Sequence, residues 1–334
     1  MKISREKLLG LLESVSPGLS KRELIEQSSC FIFKDGRVAT FNDEVACSMK
    51  SPCSGIEGAV AAKPLLELLS KLSEDMIDVV ADGGKFKIKG VGRRAEIVME
   101  SEIVLPVDSI EEPDEWIALD DDFLEAVSVV HTVAASGNNA NFNLTCVHIG
   151  PEVVEACDNF QSVRYPVSTD MKGSCLIRRD AIKHAIALGV NEFAMGDAWM
   201  HFRNPSGLML SCRKWDEEYE NLDQIFEGEG SSITLPGGLT EAVDKAKIFS
   251  SGNTDNDHIF VKIKDGKLTI RGEGTAGSFE ERKKTSFDGN LSFMIAPKLL
   301  VEIAKKTNEC MVAPGRLKIE AEKFTFVACL GVVE

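Results

Sequence analysis

Long hydrophobic runs are missing from this 334-residue sequence. No stretch approaches the roughly 18 uninterrupted apolar residues that a membrane-spanning helix needs. The N-terminal stretch MKISREKLLGLLESV has the spacing of an amphipathic helix and lacks the apolar run of a signal peptide. We therefore expect a soluble, cytoplasmic protein that does not bind a membrane. Apolar residues still make up 43% of the chain, which is enough for the cores of two or three domains.

The sequence also lacks the motifs of metal sites and of common enzymes. Its nine cysteines form no C-x-x-C pair and lie scattered in apolar segments, which is typical of buried, reduced thiols. No H-E-x-x-H, G-x-S-x-G or P-loop motif is present. A hydrolase or transferase that uses one of the histidines is an alternative, but a lone histidine is more often structural. These histidines are His131, His148, His184, His201 and His258. We expect no enzyme activity, no cofactor and no metal site.

One glycine motif does occur, in the segment IKDGKLTIRGEGTAG at residues 263–277. Gly272, Gly274 and Gly277 have the G-x-G-x-x-G spacing of dinucleotide-binding loops, but such a loop must join a strand to a helix. Residues 278–284 (SFEERKK) are too polar and too short for a buried helix. We therefore predict a glycine-rich connection between strands in place of a phosphate site.

Positive charge is scarce in this chain. Lys and Arg number 38 and Asp and Glu number 53, which gives a net charge of −15. A strongly acidic body repels a polyanion, so the average composition argues against binding to nucleic acid. An average can nevertheless hide a local basic surface.

A plan of helix, hairpin, helix and hairpin occurs three times along the chain. Landmarks of four structural types recur in one order every 114 to 118 residues, which is the signature of an internal repeat. The first helices are predicted over residues 4–15, 120–130 and 239–249, and the second helices over 62–72, 178–188 and 297–307. Asp35-Gly36 and Asp265-Gly266, between alternating apolar segments, predict tight hairpin turns at equivalent places.

The repeat spacing predicts three domains, at residues 1–112, 113–228 and 229–334. Residues 106–118 (PVDSIEEPDEWIA) are acidic and contain prolines, and residues 222–236 (LDQIFEGEGSSITLP) are similarly polar. Both compositions are typical of exposed linkers.

The second helices differ from the rest of the chain in charge. Their net charges are +1, +2 and +2 in a protein of −15. Taken one at a time, these charges are typical of the solvated face of a surface helix. Their recurrence at one position in every repeat favours a basic side of the assembly, with acidic surfaces elsewhere.

An acidic chain with three repeats in this order resembles the β subunit of bacterial DNA polymerase III, the sliding clamp. The most similar segments are VAAKPLLELLSKLSEDMIDVVADGGKFKIKG (60–90) followed by GRRAEI, and AVDKAKIFSSG with IKDGKLTIRGEG in the third repeat. The resemblance implies an α+β DNA clamp fold with three repeated domains, each with two helices against antiparallel sheet. It implies a ring, formed as a head-to-tail homodimer, that encircles duplex DNA without sequence specificity.

The resemblance also implies functional residues. The DNA-binding candidates lie on the second helices and in the loop after the first helix: Arg22, Lys63, Lys71, Arg178, Arg179, Lys183, Lys298, Lys305 and Lys306. The head-to-tail contact is expected at Leu105, Ile248 and Phe249. DNA polymerase and clamp loader peptides are expected in an apolar pocket between the second and third domains. The candidates for that pocket are Cys157, Asn159, Phe160, Gln161, Leu222, Leu317, Val327 and Cys329.

The candidate pocket departs from the family pattern. The segment CDNFQS (157–162) keeps an aspartate but loses the glycine, histidine, arginine and leucine of the family, and the chain ends FVACLGVVE. We therefore expect a divergent clamp with altered peptide specificity, as a virus or mobile element would need for its own polymerase. The alternative is a clamp-like decoy or regulator that binds host replication proteins without being loaded on DNA. Either protein would act in the bacterial cytoplasm or nucleoid, or in a phage-infected cell.

Overall fold

The structure is a computed structural model that describes residues 1–137, 141–250, 258–287, 289–313 and 315–330. At positions 298, 299, 302 and 306 the description covers the backbone alone. Three successive parts of the chain share one element order: a strand, a helix, four strands, a second helix and three strands. The repetition of helices and hairpins that the sequence predicts is therefore confirmed at the level of element order.

The first repeat begins at residue 2 and ends at residue 100. Its elements are β1 (Lys2–Ser4), α1 (Arg5–Val15), β2 (Cys30–Lys34), β3 (Arg37–Phe41), β4 (Val45–Lys50), β5 (Gly58–Ala61), α2 (Ala62–Lys71), β6 (Met76–Ala81), β7 (Lys85–Gly90) and β8 (Arg93–Glu100). The side chain of Ser4 accepts a hydrogen bond from the backbone nitrogen of Lys7, which caps the start of α1.

The second repeat has the same order over residues 117–215. Its elements are β9 (Ile117–Ala118), α3 (Phe123–Val130), β10 (Cys146–Ile149), β11 (Val153–Cys157), β12 (Gln161–Pro166), β13 (Cys175–Arg178), α4 (Arg179–Leu188), β14 (Glu192–Met195), β15 (Trp199–Arg203) and β16 (Met209–Trp215). Gly189 ends α4 in the left-handed conformation (φ 58°), which glycine adopts without strain.

The third repeat is preceded by one additional short helix. The elements from there are α5 (Asp223–Phe226), β17 (Ser231–Thr234), α6 (Leu239–Ser250), β18 (Ile259–Lys264), β19 (Lys267–Gly274), β20 (Gly277–Lys284), β21 (Leu291–Ile295), α7 (Pro297–Lys306), β22 (Glu309–Ala313), β23 (Arg316–Glu320) and β24 (Thr325–Cys329). The first residue of α7 is a proline, which has no backbone N–H. Nothing is lost, because the first N–H of a helix has no hydrogen-bond acceptor within the helix.

The chain divides into two compact units. The first consists of Met1–His131, Cys146–Glu152 and Val167–Glu217, and the second of Thr132–Thr145, Val153–Pro166 and Glu218–Glu334. The second repeat therefore contributes to both units. The domain boundaries near residues 112 and 228, drawn from the repeat spacing, stay a prediction.

Two hairpins turn on the same dipeptide. In the first repeat Asp35 and Gly36 have φ of 49° and 69°, and in the third repeat Asp265 and Gly266 have φ of 50° and 67°. Positive φ at both central residues gives a type I′ turn, whose twist matches that of the flanking strands. The predicted hairpins β2–β3 and β18–β19 are thereby confirmed.

The glycine-rich motif of the third repeat joins two strands, as predicted. Gly274 ends β19 and Gly277 begins β20, and the two residues lie opposite each other in the ladder. Gly272 serves close packing: a Cβ atom there would lie 1.9 Å from the carbonyl oxygen of Ala246 in α6. The helix can therefore approach β19 only where the strand has no side chain.

Antiparallel pairing between repeats follows one rule in both units. In the first unit β4 pairs with β16, so that Val45 lies opposite Cys212. In the second unit β12 pairs with β24, so that Gln161 lies opposite Ala328. Each pairing joins the third strand after the first helix of one repeat to the last strand of the next repeat. We call such a pairing a strand joint.

Each repeat packs its two helices against each other and against sheet. In the first unit α1 contacts α2 and α3 contacts α4, and in the second unit α6 contacts α7. Leu8 and Leu12 of α1 and Leu65 and Leu69 of α2 are fully buried, and each such side chain stabilises the fold by about 1.5–3 kcal/mol. Within the described residues, every helix is too short or too polar to span a lipid bilayer.

Candidate functional site

The second helix of the first repeat separates apolar and cationic faces. Ala62, Leu65 and Leu69 of α2 are buried, whereas Lys63 and Lys71 are exposed. Neither lysine lies within 4 Å of a carboxylate oxygen of the described residues. Both charges therefore face solvent and can reach an external anion.

The second helix of the second repeat carries cations that are partly neutralised. Arg178 precedes α4, and its guanidinium lies 3.8 Å from the Glu44 carboxylate of the first repeat. Lys183 lies 2.5 Å from Asp180 one turn earlier, and its hydrogen bond lowers the pKa of that carboxyl. Burial raises the pKa of Glu44, a shift that the neighbouring Arg178 opposes. The positive field of α4 is therefore weaker than its sequence suggests.

The remaining DNA candidates lie at three further places. Arg22 is exposed in the irregular segment between α1 and β2. Arg179 is half-buried at the first position of α4, and Lys305 is exposed near the end of α7. The side chains of Lys298 and Lys306 lie outside the described part of the structure. Every described candidate thus has an accessible charged group, and those in helices belong to the second helix of a repeat.

The predicted partner pocket is largely filled by the chain itself. Cys157, Leu222 and Val327 are buried together with Phe226, and Tyr219 and Leu144 pack on this cluster. Leu317, on β23, is fully buried as well. Leu222, Leu317 and Val327 therefore cannot line a pocket that is open to solvent in this structure, because their side chains are buried.

Two of the predicted pocket residues remain on the surface side by side. Phe160 is 43% exposed and Cys329 is also exposed. The backbone nitrogen of Cys329 donates a hydrogen bond of 2.7 Å to the carbonyl oxygen of Phe160. The Phe160 ring meets the His258 ring edge-on, with 6.3 Å between the centroids. A narrower apolar surface therefore lies at the strand joint of the second unit.

The turn before β12 uses its polar residues internally. The Asp158 carboxylate accepts hydrogen bonds from the backbone nitrogens of Phe160 and Gln161 and, at 3.0 Å, from the Gln161 side chain. Asn159 is exposed at the tip of this turn. The amide of Gln161 is thus committed to shaping the turn, which presents Phe160 outward.

An ion cluster that the sequence analysis missed supports this region. The Arg164 guanidinium lies 2.7 Å from both Glu155 and Asp223, and it stacks over the Phe226 ring at 4.8 Å. Glu155 is buried, and its carboxylate is paired with this arginine. A sequence signal for part of the cluster existed, since Glu155 and Arg164 lie opposite each other once β11 and β12 pair as a hairpin.

The expected dimer contacts fall into three different environments. Leu105 is only 3% exposed and packs in a core cluster with Ile32, so its assignment to an interface is corrected: its side chain has no surface to offer. Ile248 is 66% exposed near the end of α6. Phe249 is half-buried and stacks on Phe279 of β20, with 6.3 Å between the rings. Ile248 is therefore the residue that a second copy could cover.

Two of the histidines that an enzyme could use make structural contacts. Burial lowers the pKa of His201 to about 4, and its ring nitrogen lies 2.8 Å from the Ser211 hydroxyl. His131 contacts the backbone carbonyl of Val127 one turn earlier. Among the described residues, no three His, Cys, Asp or Glu side chains are grouped as a metal ion would require.

Several solved structures share the architecture of this chain. A DNA polymerase III β chain from Streptococcus pneumoniae superposes with a TM-score of 0.84 at 14% identity, over 99% of each chain. The β subunit from Thermotoga maritima gives 0.83 at 14% identity, over 100% of this chain and 99% of that one. A DNA polymerase sliding clamp from Bacillus subtilis gives 0.81 at 12% identity, with the same coverage. This chain has the β sliding clamp fold.

The clamp fold is retained here with little sequence in common. The sequence matches no protein-family model and no curated relative. The expected α+β clamp fold is confirmed by the structural agreement along the full chain. At 12–17% identity, the roles of individual residues do not transfer from the clamps to this chain.

Proposed function

We propose that this protein is a DNA sliding clamp, a processivity factor that encircles duplex DNA and tethers a polymerase to it. The observation that carries the proposal is agreement with the clamp fold along the whole chain. The proposal is supported by the second helix of each repeat, which is cationic in an otherwise acidic protein and would supply contacts to phosphates.

The mechanism of such a clamp is topological and needs no base recognition. Cationic side chains that touch phosphates hold the protein weakly and equally at every base pair, so it slides. Lys63 and Lys71, which are exposed and lack nearby carboxylates in the described structure, are the strongest candidates. Further phosphate contacts would come from Arg178, Arg179, Lys183 and Lys305. The remaining candidates from the sequence are Arg22, Lys298 and Lys306. A net charge of −15 would keep the acidic surfaces of the protein from adhering to DNA.

The strand joints support a head-to-tail homodimer. The rule that forms β4–β16 and β12–β24 leaves the third strand of the last repeat, β20, and the last strand of the first repeat, β8. In the described part of the chain β20 pairs only with β19, and residues 93–98 of β8 pair only with β7. We propose that β20 of one copy pairs with β8 of another, which supplies the missing joint.

Apolar residues beside these two edges support the same contact. Phe279 on β20 and Ile97 on β8 are half-buried, as residues at an incomplete core would be. Ile248 and Phe249 of α6 lie next to this edge, since Phe249 stacks on Phe279. At the internal strand joints the equivalent layer is buried core, for example around Ala46. A second copy would complete that layer.

Polymerase and clamp loader peptides would dock at the surface of Phe160 and Cys329. This surface combines an exposed aromatic ring with a strand joint, and Asn159 lies at its rim. Because Gln161 is bound to Asp158, an acidic peptide side chain would find little to bind there. We expect a short peptide anchored by one or two apolar side chains.

A retention experiment separates a clamp from a clamp-like decoy, and it needs no loader. The protein is diluted until dimers dissociate, mixed with nicked circular or linear plasmid, and concentrated so that rings close around DNA. Gel filtration should then recover protein with circular DNA only, because a closed ring slides off linear ends. Dimers that form but are recovered with neither DNA, while still binding polymerase peptides, would contradict the clamp and support the decoy.

A further inference from the structure

The second unit contains a sheet whose two faces differ in character. Strands β20, β19, β18 and β21 form a four-stranded antiparallel sheet in that order. Helix α6 packs on one face, against β18, β19 and β20. The residues of that face, such as Val261, Leu268 and Ile270, are buried. The opposite face is open, and its composition is unlike that of the chain as a whole.

The open face carries a row of lysines at the hairpin end. Lys264 on β18 lies directly opposite Lys267 on β19, which in turn lies opposite Lys284 on β20. Lys262 follows one step further along β18, opposite Thr269. All four lysines are exposed. We call these four residues the lysine face.

Charges on the lysine face are not balanced by the surrounding carboxylates. Two neighbouring arginines are paired, Arg271 with Glu273 and Arg282 with Glu280, each at 2.8 Å. None of the four lysines lies within 4 Å of a carboxylate among the residues that the structure describes. Like charges directly opposite in a sheet destabilise it. A row of three lysines in a protein with net charge −15 therefore indicates a surface that binds an external anion.

Apolar and hydroxyl side chains complete the surface. The open face forms a shallow depression of about 660 Å³ lined by the β18 and β19 lysines of the lysine face together with Phe260, Thr269 and Ser292. Phe260 and Met294 lie opposite each other and are half-buried. Phe260 lies two residues from Lys262 on β18, so the apolar pair is about 7 Å from the nearest lysine along the strand.

We propose that this open sheet face binds single-stranded nucleic acid, with phosphates on the lysine face and bases on Phe260 and Met294. Sequence-tolerant single-strand binding needs both elements, a cationic track for the backbone and an apolar or aromatic platform for the bases. A duplex would present phosphates alone and leave Phe260 unused. An acidic peptide would likewise satisfy the lysines without a stacking partner for the ring. The proposal does not rest on the clamp function, because it concerns the face opposite α6.

Fluorescence anisotropy with a labelled oligothymidylate of about 20 nucleotides tests the proposal directly. The triple variant Lys264→Gln, Lys267→Gln, Lys284→Gln should bind at least about tenfold more weakly at low salt. It should also lower the slope of log affinity against log salt by about 2, since each phosphate contact contributes about 0.7. Phe260→Leu keeps the apolar volume but removes the ring, and it should weaken binding about fivefold.

A matched variant separates this site from general electrostatics. Lys50→Gln, Lys89→Gln, Lys172→Gln removes the same charge from exposed positions of the first unit and should leave oligonucleotide affinity within about twofold. An equal loss in this control, equal affinity for a duplex of the same length, or stronger competition by polyglutamate than by unlabelled oligonucleotide would each overturn the proposal.

Discussion

The backbone nitrogen of Cys329 and the carbonyl oxygen of Phe160 are joined by a hydrogen bond of 2.7 Å, which fixes the end of β24 beside the turn before β12. The aromatic ring of Phe160 is thereby held outward on a rigid support. A side chain that is ordered before binding loses little entropy when a peptide covers it, so it is well suited to anchor a partner.

We expect Phe160→Ala to weaken the binding of clamp-motif peptides about tenfold, which corresponds to about 1.4 kcal/mol. Calorimetry with purified peptides measures this change. Asn159→Ala, one residue away and also exposed, is the matched control and should change affinity by less than about twofold. Peptides that bind the Phe160→Ala protein with unchanged affinity would place the docking site elsewhere.

Val327→Asp tests the buried part of the same region in a different way. Val327 is 2% exposed within the cluster of Cys157, Leu222 and Phe226. A carboxylate there has no cationic partner in the cluster, so we expect the free energy of unfolding to fall by about 3 kcal/mol or more. Chemical denaturation measures it. A variant of unchanged stability would show that this cluster is open to solvent.

Reversing Lys63 and Lys71 to Glu should weaken retention on circular DNA without lowering the melting temperature. Both side chains are exposed and lie near no carboxylate of the described structure, so their replacement costs the fold little. Lys89→Glu with Lys172→Glu is the matched control for net charge. Arg178→Glu is a poorer test, because it would leave the Glu44 carboxylate beside a second negative charge. Retention that survives in the α2 variant would remove this helix from the DNA contact.

Interface and core can be distinguished by a pair of variants. Ile248→Asp should raise the dimer dissociation constant at least tenfold in sedimentation velocity while leaving the monomer folded, since Ile248 is 66% exposed. Leu105→Ala should lower the free energy of unfolding by about 2–4 kcal/mol, because it opens a cavity in a core. The dimer proposal at this edge would be contradicted by Ile248→Asp protein that stays dimeric at high dilution.

Two glycines with opposite surroundings make a stability test. Gly272→Ala would place Cβ 1.9 Å from the Ala246 carbonyl oxygen, so α6 must move and stability should fall by about 1–3 kcal/mol. Gly10 lies within α1, and no atom lies within 4 Å of a Cβ added there. Gly10→Ala should therefore stabilise the protein by about 0.5–1 kcal/mol. Thermal denaturation of both variants checks the contrast.

The buried imidazole of His201 should make stability depend on pH. Its folded-state pKa is lowered to about 4, below the ordinary value of 6.5, so the unfolded chain binds the proton more tightly. Stability from this group is complete above pH 6.5 and falls as the pH drops towards 4, by up to about 3 kcal/mol. Denaturation curves of the native protein and of His201→Gln across this range should diverge. Parallel curves would assign the acid sensitivity to other groups.

The sequence predicted local structure well because local signals decide it. The dipeptides Asp35-Gly36 and Asp265-Gly266 have positive φ angles in both hairpins, as expected for Asp-Gly at the centre of a type I′ turn. The amphipathic spacing likewise predicted both ends of α2 and of α7 to within one residue of their positions in the structure. The resemblance added the clamp fold, which periodicity alone could not identify.

The environment of single residues was harder to predict, because it depends on segments distant in the sequence. Leu105 lies in an irregular segment, where an apolar residue can equally fill a core or an interface, and only packing against Ile32 decides. Leu222 and Val327 lie in one cluster, but Phe226 packs with them there and Arg164 stacks over the Phe226 ring. Ion pairing such as Arg178 with Glu44 is also invisible without the fold.

The strand joints have a consequence for the handling of this protein at low concentration. If β8 and β20 pair only between copies, each dissociated copy exposes two different unpaired strand edges. These edges can pair with other molecules as readily as with the correct partner copy. Such head-to-tail growth ends in a closed circle only when the bend at each junction is right, and otherwise continues as a filament. Mutations that alter this bend, even far from any binding residue, would turn a small closed assembly into fibres.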